Sequence, residues 1–246
     1  MRIIPKKPKT FTKLCHTLLF LTIFLPAPAF ASGVGLSFLQ PIGGGGGLGL
    51  GGGISLTFGK FVSIPISLTY YHLGGIPGGC IKQSDNASSI CAADKNSLNG
   101  TDWFQSHLFS AEAVTRIHIP IKGHELYLQG GGVAFLPMTM TLRKGQVAKD
   151  LHNLNGYQAI NIDGIKTSIK GYAPYGWQGG LGFVFAKKFF VEFKYYQAEG
   201  ELEFTGDATA FGAGDSVSPT TLKASDVLAD TKIDLTAWGM KLGLHL

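Results

Sequence analysis

The chain of 246 residues is rich in glycine, with 35 glycines, and only 15% of its residues are charged. Its formal charge of +5 arises entirely in the first 31 residues, which hold five basic residues and no acidic one: Arg2, Lys6, Lys7, Lys9 and Lys13. The rest of the chain is formally neutral, which removes the basic surface that nucleic-acid binding requires. It also has no run of 18 apolar residues, which excludes membrane-spanning helices.

The first segment has the three parts of an export signal. Its basic residues precede an apolar stretch over residues 18–25, and small residues follow at Ala29 and Ala31. The apolar stretch is about half as long as the roughly 20 residues that a membrane-spanning helix needs. We therefore predict a secretory signal peptide over residues 1–31, cleaved after Ala31, and a mature chain over residues 32–246.

Apolar residues then alternate with glycine or small polar residues in eight segments, with the period of a β-strand. The eight predicted strands begin near Val34, Leu48, Val62, Phe109, Leu126, Tyr175, Phe189 and Trp238. In the fifth strand, the alternation places Met140 and Leu142 on the outward apolar face, and Thr139 and Thr141 on the inward face. The alternation of the last strand continues to Leu246.

The connections between these strands alternate in length. Short turns are predicted at residues 59–60, 120–123 and 186–188, and long polar segments at 74–102, 143–164 and 205–230. This arrangement is typical of a transmembrane barrel with short periplasmic turns and long external loops. Aromatic residues near predicted strand ends fit the girdles of such a barrel: Tyr70, Trp103, Tyr175 and Phe189.

We therefore predict an all-β fold, an eight-stranded antiparallel transmembrane up-and-down β-barrel over residues 32–246. An even number of strands closes the sheet and leaves no unpaired edge. The alternative is a soluble secreted β-sandwich or barrel, whose exposed face would be strongly charged. Here the second face is mostly glycine, serine and threonine, which favours the membrane barrel.

Several ionisable residues fall on the predicted inner face and form a candidate polar network in the lumen: Glu112, Arg116, His118, Glu192, Lys194 and Lys241. Eight strands enclose a space just wide enough for side chains to fill. The mixed charges predict either a paired polar plug or a narrow passage, because unpaired charges there would be costly.

No catalytic constellation emerges from the sequence. His107 and Ser110 fall on opposite faces of one strand, so they do not form a nucleophile and base pair. His118 and His245 are expected in the lumen near the periplasmic end, as hydrogen-bonded fillers. The glycine runs lack the strand-to-helix setting of a nucleotide site, so we predict a protein that is not an enzyme and uses no cofactor or metal.

Three segments carry a family resemblance: residues 171–185, residues 189–196 and the C-terminal strand. On these segments, the chain resembles the small eight-stranded outer-membrane barrels of the OmpA, OmpX and OmpW type. The resemblance covers nearly all of residues 32–246. Such barrels commonly end in an aromatic residue, whereas this chain ends in Leu246. The resemblance implies the outer membrane of a Gram-negative-type bacterium, with membrane lipid and the outer-membrane assembly machinery as partners.

Two prolines give the most specific indication of function. Pro137 and Pro174 fall on sequential predicted strands at similar heights, and neither donates a ladder hydrogen bond. They predict either a weakened lateral seam or two simple bulges. Resemblance to OmpW-type barrels implies that such a seam would pass small hydrophobic solutes. The alternative function is structural or adhesive, in which the external loops bind a host ligand.

Cys80 and Cys91 are the only cysteines after residue 31, and they lie in a turn-rich segment of an exported chain. We expect them to form a disulfide across the external loop. Mass spectrometry of the native protein, with and without reductant, should show a loss of two hydrogens that reduction restores. Two thiols that alkylate readily in the native protein would contradict the disulfide.

Overall fold

The computed structural model describes residues 29–42, 46–58, 61–77, 80–82, 89–91, 102–155, 159–212 and 219–246. Eight long strands dominate these residues: β1 (Ala29–Pro41), β2 (Gly47–Phe58), β3 (Val62–Pro77), β6 (Asp102–Ile121), β7 (His124–Leu142), β10 (Tyr175–Phe185), β11 (Phe189–Thr205) and β16 (Ala237–His245). The predicted signal peptide lies almost wholly outside the described residues, and its cleavage stays a prediction.

The eight long strands close into an antiparallel barrel. Each pairs with the next along the chain, and β16 returns to pair with β1 from Gly33↔His245 to Pro41↔Ala237. The remaining pairs complete the ring, from β1–β2 through β10–β11 to β11–β16. This topology confirms the predicted eight-stranded up-and-down barrel.

The barrel has two different ends. Short turns at residues 122–123 and 186–188 lie at one end, with His245 of β16, and we call it the turn end. Lys122, Gly123, Ala186 and Lys187 all have positive φ, as tight hairpin turns require. The opposite end, which we call the loop end, carries the long connections.

The outer face of the barrel is apolar on every long strand. Leu48, Leu128, Trp177, Phe193 and Leu242 are among its exposed side chains. The inner face carries glycine because large side chains from neighbouring strands fill the narrow interior. A Cβ at Gly182 would overlap the ring of Tyr127, and one at Gly49 would overlap the ring of Tyr71.

One strand changes face along its length. A β-bulge interrupts the β6–β7 register between the pairs His107↔Thr139 and Leu108↔Pro137. Because the bulge inserts one residue, the alternation of β7 is reversed beyond it. Leu142 is therefore buried, Met140 packs against the core, and Thr139 and Thr141 are exposed. The predicted orientation of these four residues was wrong for this reason.

The loop end is folded rather than irregular. Among the described residues, this end contains helix α1 (Lys144–Asn155), helix α2 (Ala224–Val227) and eight short strands. The short strands are β4 (Cys80–Lys82), β5 (Ser89–Cys91), β8 (Ala159–Asn161), β9 (Lys166–Ile169), β12 (Asp207–Phe211), β13 (Pro219–Lys223), β14 (Leu228–Ala229) and β15 (Thr231–Asp234). β13, β12 and β8 form one small sheet, β14, β4 and β5 form a second, and β9 and β15 pair with β11.

An apolar cluster connects the loop-end structure to the part of the barrel interior nearest to it. Val147 and Leu151 of α1 pack into it with residues of the barrel strands, such as Phe135 and Leu202. Trp103 belongs to this cluster and its Nε1 donates to Asp150 Oδ2 of α1 at 2.8 Å. Trp103 is therefore an internal anchor for α1, and its predicted place in a membrane girdle was wrong. No helix among the described residues is both long enough and apolar enough to span a bilayer.

The apolar outer face predicts a strong asymmetry in tolerance to charge. Leu242 is exposed near the middle of the nine-residue strand β16. If this face meets lipid, Leu242→Arg should destabilise the inserted barrel by about 2–4 kcal/mol. Thr221→Arg, on the exposed strand β13 at the loop end, introduces the same side chain outside the apolar face and should be neutral.

Equilibrium unfolding from lipid vesicles measures both variants, and equal tolerance would contradict the lipid-facing assignment. Gly243→Ser is not a suitable control, although the sequence pattern predicts it to be mild. A Cβ at Gly243 would overlap the carbonyl oxygen of Val34 and the ring of Phe190.

Candidate functional site

Charged side chains meet inside the barrel in a cluster that we call the polar belt. Glu112 and Arg116 come from β6, Glu192 and Lys194 from β11, and Lys241 from β16. Even spacing along each strand directs these side chains to the inner face. Glu112, Glu192, Lys194 and Lys241 are buried, and the Arg116 side chain is nearly so.

The Glu112 carboxylate is surrounded by donors. Lys194 Nζ lies 2.8 Å from Oε2, and Gln178 Nε2 donates to the same oxygen at 2.7 Å. Oε1 accepts from the hydroxyls of Ser110 at 3.1 Å and Tyr196 at 3.2 Å. These four contacts offset the loss of water around a carboxylate that is 3% exposed.

The Glu192 carboxylate forms the other half of the belt. Arg116 Nη2 donates to its Oε1 in a close ion pair, and the Tyr127 hydroxyl donates to the same oxygen at 2.7 Å. Lys194 Nζ lies 2.9 Å from Oε2, so it bridges both carboxylates. The Arg116 guanidinium also lies 4.3 Å from the centre of the Tyr127 ring, which is a cation–π contact. Its Nε donates to Gln129 Oε1, and the two contacts together fix its position.

Lys241 stands apart from these pairs. It is opposite Glu192 in the β11–β16 ladder, yet Glu192 is engaged by Arg116, Tyr127 and Lys194. Within the described residues, Lys241 has no hydrogen bond and no carboxylate oxygen within 4.0 Å of Nζ. The belt thus contains three cations and two carboxylates.

His118 lies closer to the turn end than the belt. Its Nδ1 forms a close pair with Glu125 Oε1, and its Nε2 lies 2.7 Å from the Ser63 hydroxyl. These groups line an open vestibule of about 580 Å³, which Arg116 and His245 also line. His118 therefore belongs to the vestibule and not to the ion pairs of the belt.

The polar belt separates two different environments. Toward the turn end it faces the vestibule, and toward the loop end it faces the apolar cluster, in which Tyr71, Phe135 and Tyr196 are almost completely buried. The interior is therefore open on the turn-end side of the belt, where Glu125 and His118 are among the lining residues, and filled by apolar side chains on the loop-end side.

In the described part of the barrel wall, the ladder between β7 and β10 stops short of the loop end. Pairing between β7 and β10 ends at Ala134↔Tyr175, followed only by a hydrogen bond from Phe135 N to the Pro174 carbonyl at 2.7 Å. β7 continues to Leu142 but pairs there only with β6. Nearer the loop end, β11 pairs with β9 instead of β10. No described ladder joins β9 to β7. We call this unpaired boundary the seam.

Both predicted prolines border the seam. Pro137 lies in β7 at the bulge, whereas Pro174 immediately precedes β10 and is not inside that strand as the pattern predicted. They line a small apolar cavity of about 10 Å³, together with Phe135, Met140 and Ile169. Gly171 has a φ of +79°, which marks the irregular link between β9 and β10.

The other predicted residues have simpler surroundings. His107 contacts the Tyr70 hydroxyl, whereas Ser110 points inward to Glu112, so the two lie on opposite faces. Among the described side chains, no cluster of three or more His, Cys, Asp or Glu residues is arranged to hold a metal ion. Cys80 and Cys91 are direct backbone partners in the β4–β5 ladder, and their disulfide stays a prediction.

The predicted polar network left out the uncharged members of the belt. Tyr127 and Tyr196 donate to the carboxylates, and Gln129 and Gln178 complete the contacts. The pairing of inward tyrosines with glycines on adjacent strands, such as Tyr127 with Gly182, was the signal that could have identified them.

No protein-family model and no curated protein sequence matches the chain. Among solved structures, the chain is similar to the outer membrane protein OprG from Pseudomonas aeruginosa, with a TM-score of 0.50 and 11% sequence identity. The similarity covers 89% of this chain and 95% of that chain. At this identity the similarity shows a shared barrel fold.

The ion pairs of the belt predict a large effect of removing one partner. Glu112→Leu leaves Lys194 with one of its two carboxylates and should destabilise the barrel by about 3–5 kcal/mol. Glu201→Leu removes a partner of Lys170 in an exposed pair at 3.4 Å and should cost less than about 1 kcal/mol. Urea unfolding of both variants from the same vesicles makes the comparison, and a Glu112 variant as stable as the Glu201 variant would contradict the structural importance of the belt.

Proposed function

We propose that this protein is a non-enzymatic barrel of the outer membrane of a Gram-negative-type bacterium, and that it passes small hydrophobic solutes sideways between its interior and the lipid. The export signal, the closed ladder and the continuous apolar outer face support insertion in that membrane. Membrane lipid and the outer-membrane assembly machinery are then its partners.

The seam is the observation that carries this proposal. β7 extends past its last hydrogen bond to the β10 side, and Pro137 and Pro174 border the unpaired boundary. Neither proline has an N–H to donate, so separating the strands here breaks fewer hydrogen bonds than in the paired part of the β7–β10 ladder.

The chemistry of the interior supports a hydrophobic solute. The upper interior is an apolar cluster, and the cavity at the seam is lined by apolar side chains with only Ser106 as a polar residue. The polar belt blocks the axial route below this cluster. A solute that enters from the loop end thus meets an apolar environment whose weakest wall faces the lipid.

The seam must open for passage. A cavity of about 10 Å³ is smaller than any organic solute. Met140 and Ile169 border it from β7 and β9, which share no described ladder. Movement of these two side chains, of which the methionine is unbranched and adaptable, widens the opening without breaking a strand pair.

A crosslink across the seam tests the route. In a background with Cys80→Ser and Cys91→Ser, the variants Pro137→Cys and Pro174→Cys are combined and bridged with a short bis-maleimide. We expect the bridge to slow entry of a fluorescent hydrophobic probe into the barrel in vesicles by about tenfold, because the seam can no longer widen.

The matched control is the pair Leu128→Cys and Leu181→Cys, which are direct partners in the intact part of the same β7–β10 ladder. Its crosslink should leave entry of the probe unchanged. Entry that is unaffected by the Pro137 and Pro174 bridge would reject the lateral route.

The second candidate function is structural or adhesive, with the loop end binding a ligand such as a host molecule. It is favoured by the folded state of that end, where two small sheets and α1 are attached to the barrel through the apolar cluster. This candidate predicts that replacing residues 159–161 and 207–223 with a short glycine linker abolishes surface binding and leaves probe entry intact.

A further inference from the structure

We infer that the barrel interior binds one small monovalent anion, of the size of chloride, against the ammonium group of Lys241. This site lies on the turn-end side of the polar belt. It is independent of the seam and of the lateral route proposed above.

The charge balance of the belt is the first argument. Glu112 and Glu192 are matched by Lys194 and Arg116 through direct ion pairs. Lys241 is the third cation, 7% exposed, and has neither an ion pair nor a hydrogen bond within the described residues. A buried cation without a direct ion pair is costly, and one monovalent anion would neutralise the excess charge within the belt.

The surroundings of Lys241 provide room for such an ion. Lys241 lines a cavity of about 40 Å³, together with Lys194, Arg116 and the hydroxyl-bearing Ser55 and Ser67. A water molecule needs about 10–15 Å³ of such space, so chloride fits with one or two waters. Serine hydroxyls can donate to the ion on the side away from the ammonium group.

The two carboxylates limit the charge of the ligand. Glu112 and Glu192 also line the cavity, and they would repel a second negative charge. Phosphate or a dicarboxylate would therefore carry more negative charge than the single excess cation of the belt, and would be too large for the cavity. The class of ligand is a halide or another monovalent anion of similar size.

The anion has an open path from the turn end. Ser55, Arg116 and His245 line both the cavity and the vestibule of about 580 Å³. Exchange with the solution at that end requires no opening of the seam or of α1. A crosslinked seam should therefore leave anion binding intact, which distinguishes a failure of this inference from a failure of the proposed function.

Chloride-dependent stability tests the site on the refolded full barrel in detergent. Unfolding is measured in sodium chloride and in sodium gluconate at equal ionic strength, because gluconate is too large for the cavity. We expect chloride alone to raise the unfolding midpoint saturably, by about 3 °C at ten times its dissociation constant. Coincident curves in the two salts would overturn the inference and leave Lys241 solvated by water.

Lys241→Met should abolish the difference between the two salts, because it removes the unmatched cation. Lys223→Met, an equal change of charge on the exposed strand β13, should retain it. A chloride effect that survives in Lys241→Met would place the ion elsewhere and reject the site.

A measurement on the unmodified protein covers the case in which Lys241→Met does not fold. Crystals grown in sodium bromide should give an anomalous diffraction peak beside Lys241 Nζ inside the barrel. Data that locate Lys241 and show no such peak in saturating bromide would overturn the inference.

Discussion

The narrow interior of a closed eight-stranded ring is the constraint on which the rest of the structure depends. Such a ring leaves space for side chains and little else, so each inward position must suit its neighbours across the lumen. The chain meets this requirement by setting large tyrosines beside glycines, as with Tyr127 and Gly182. The tyrosine hydroxyls then donate to the carboxylates at the centre. The same side chains therefore fill the interior and satisfy its buried charges.

This arrangement divides the interior into compartments of different polarity. Charges are concentrated in one layer, where Lys194 bridges Glu112 and Glu192. Apolar side chains fill the space above that layer and continue into α1 through Val147 and Leu151. The loop-end structure is thus an extension of the barrel core, which explains why Trp103 anchors a helix from inside the wall.

The sequence predicted the ring well because the alternation of outward-facing and inward-facing residues is local and regular. Leu48, Leu128 and Leu242 are exposed as that alternation requires. The prediction from sequence failed where the geometry depends on pairing between strands. The bulge that buries Leu142 involves the register of β6 against β7, which the sequence of one strand alone does not determine. The position of Lys241 is inward as predicted, but its lack of a partner depends on three other side chains that compete for Glu192.

If the apolar outer face meets lipid, as proposed, the β7 bulge also sets the depth of the seam in the bilayer. Below it, the outward residues of β7 run from Leu126 to Met138, and above it Thr139 and Thr141 are exposed. Thirteen tilted residues span roughly 25–30 Å, the height of the hydrocarbon layer. In the proposed orientation, the change to threonine lies where the acyl chains meet the polar headgroups. On the proposed lateral route, a solute leaving beside Pro137 would enter the outer leaflet just beneath its polar headgroups, where an amphiphile can keep its polar end hydrated while its apolar part joins the acyl chains.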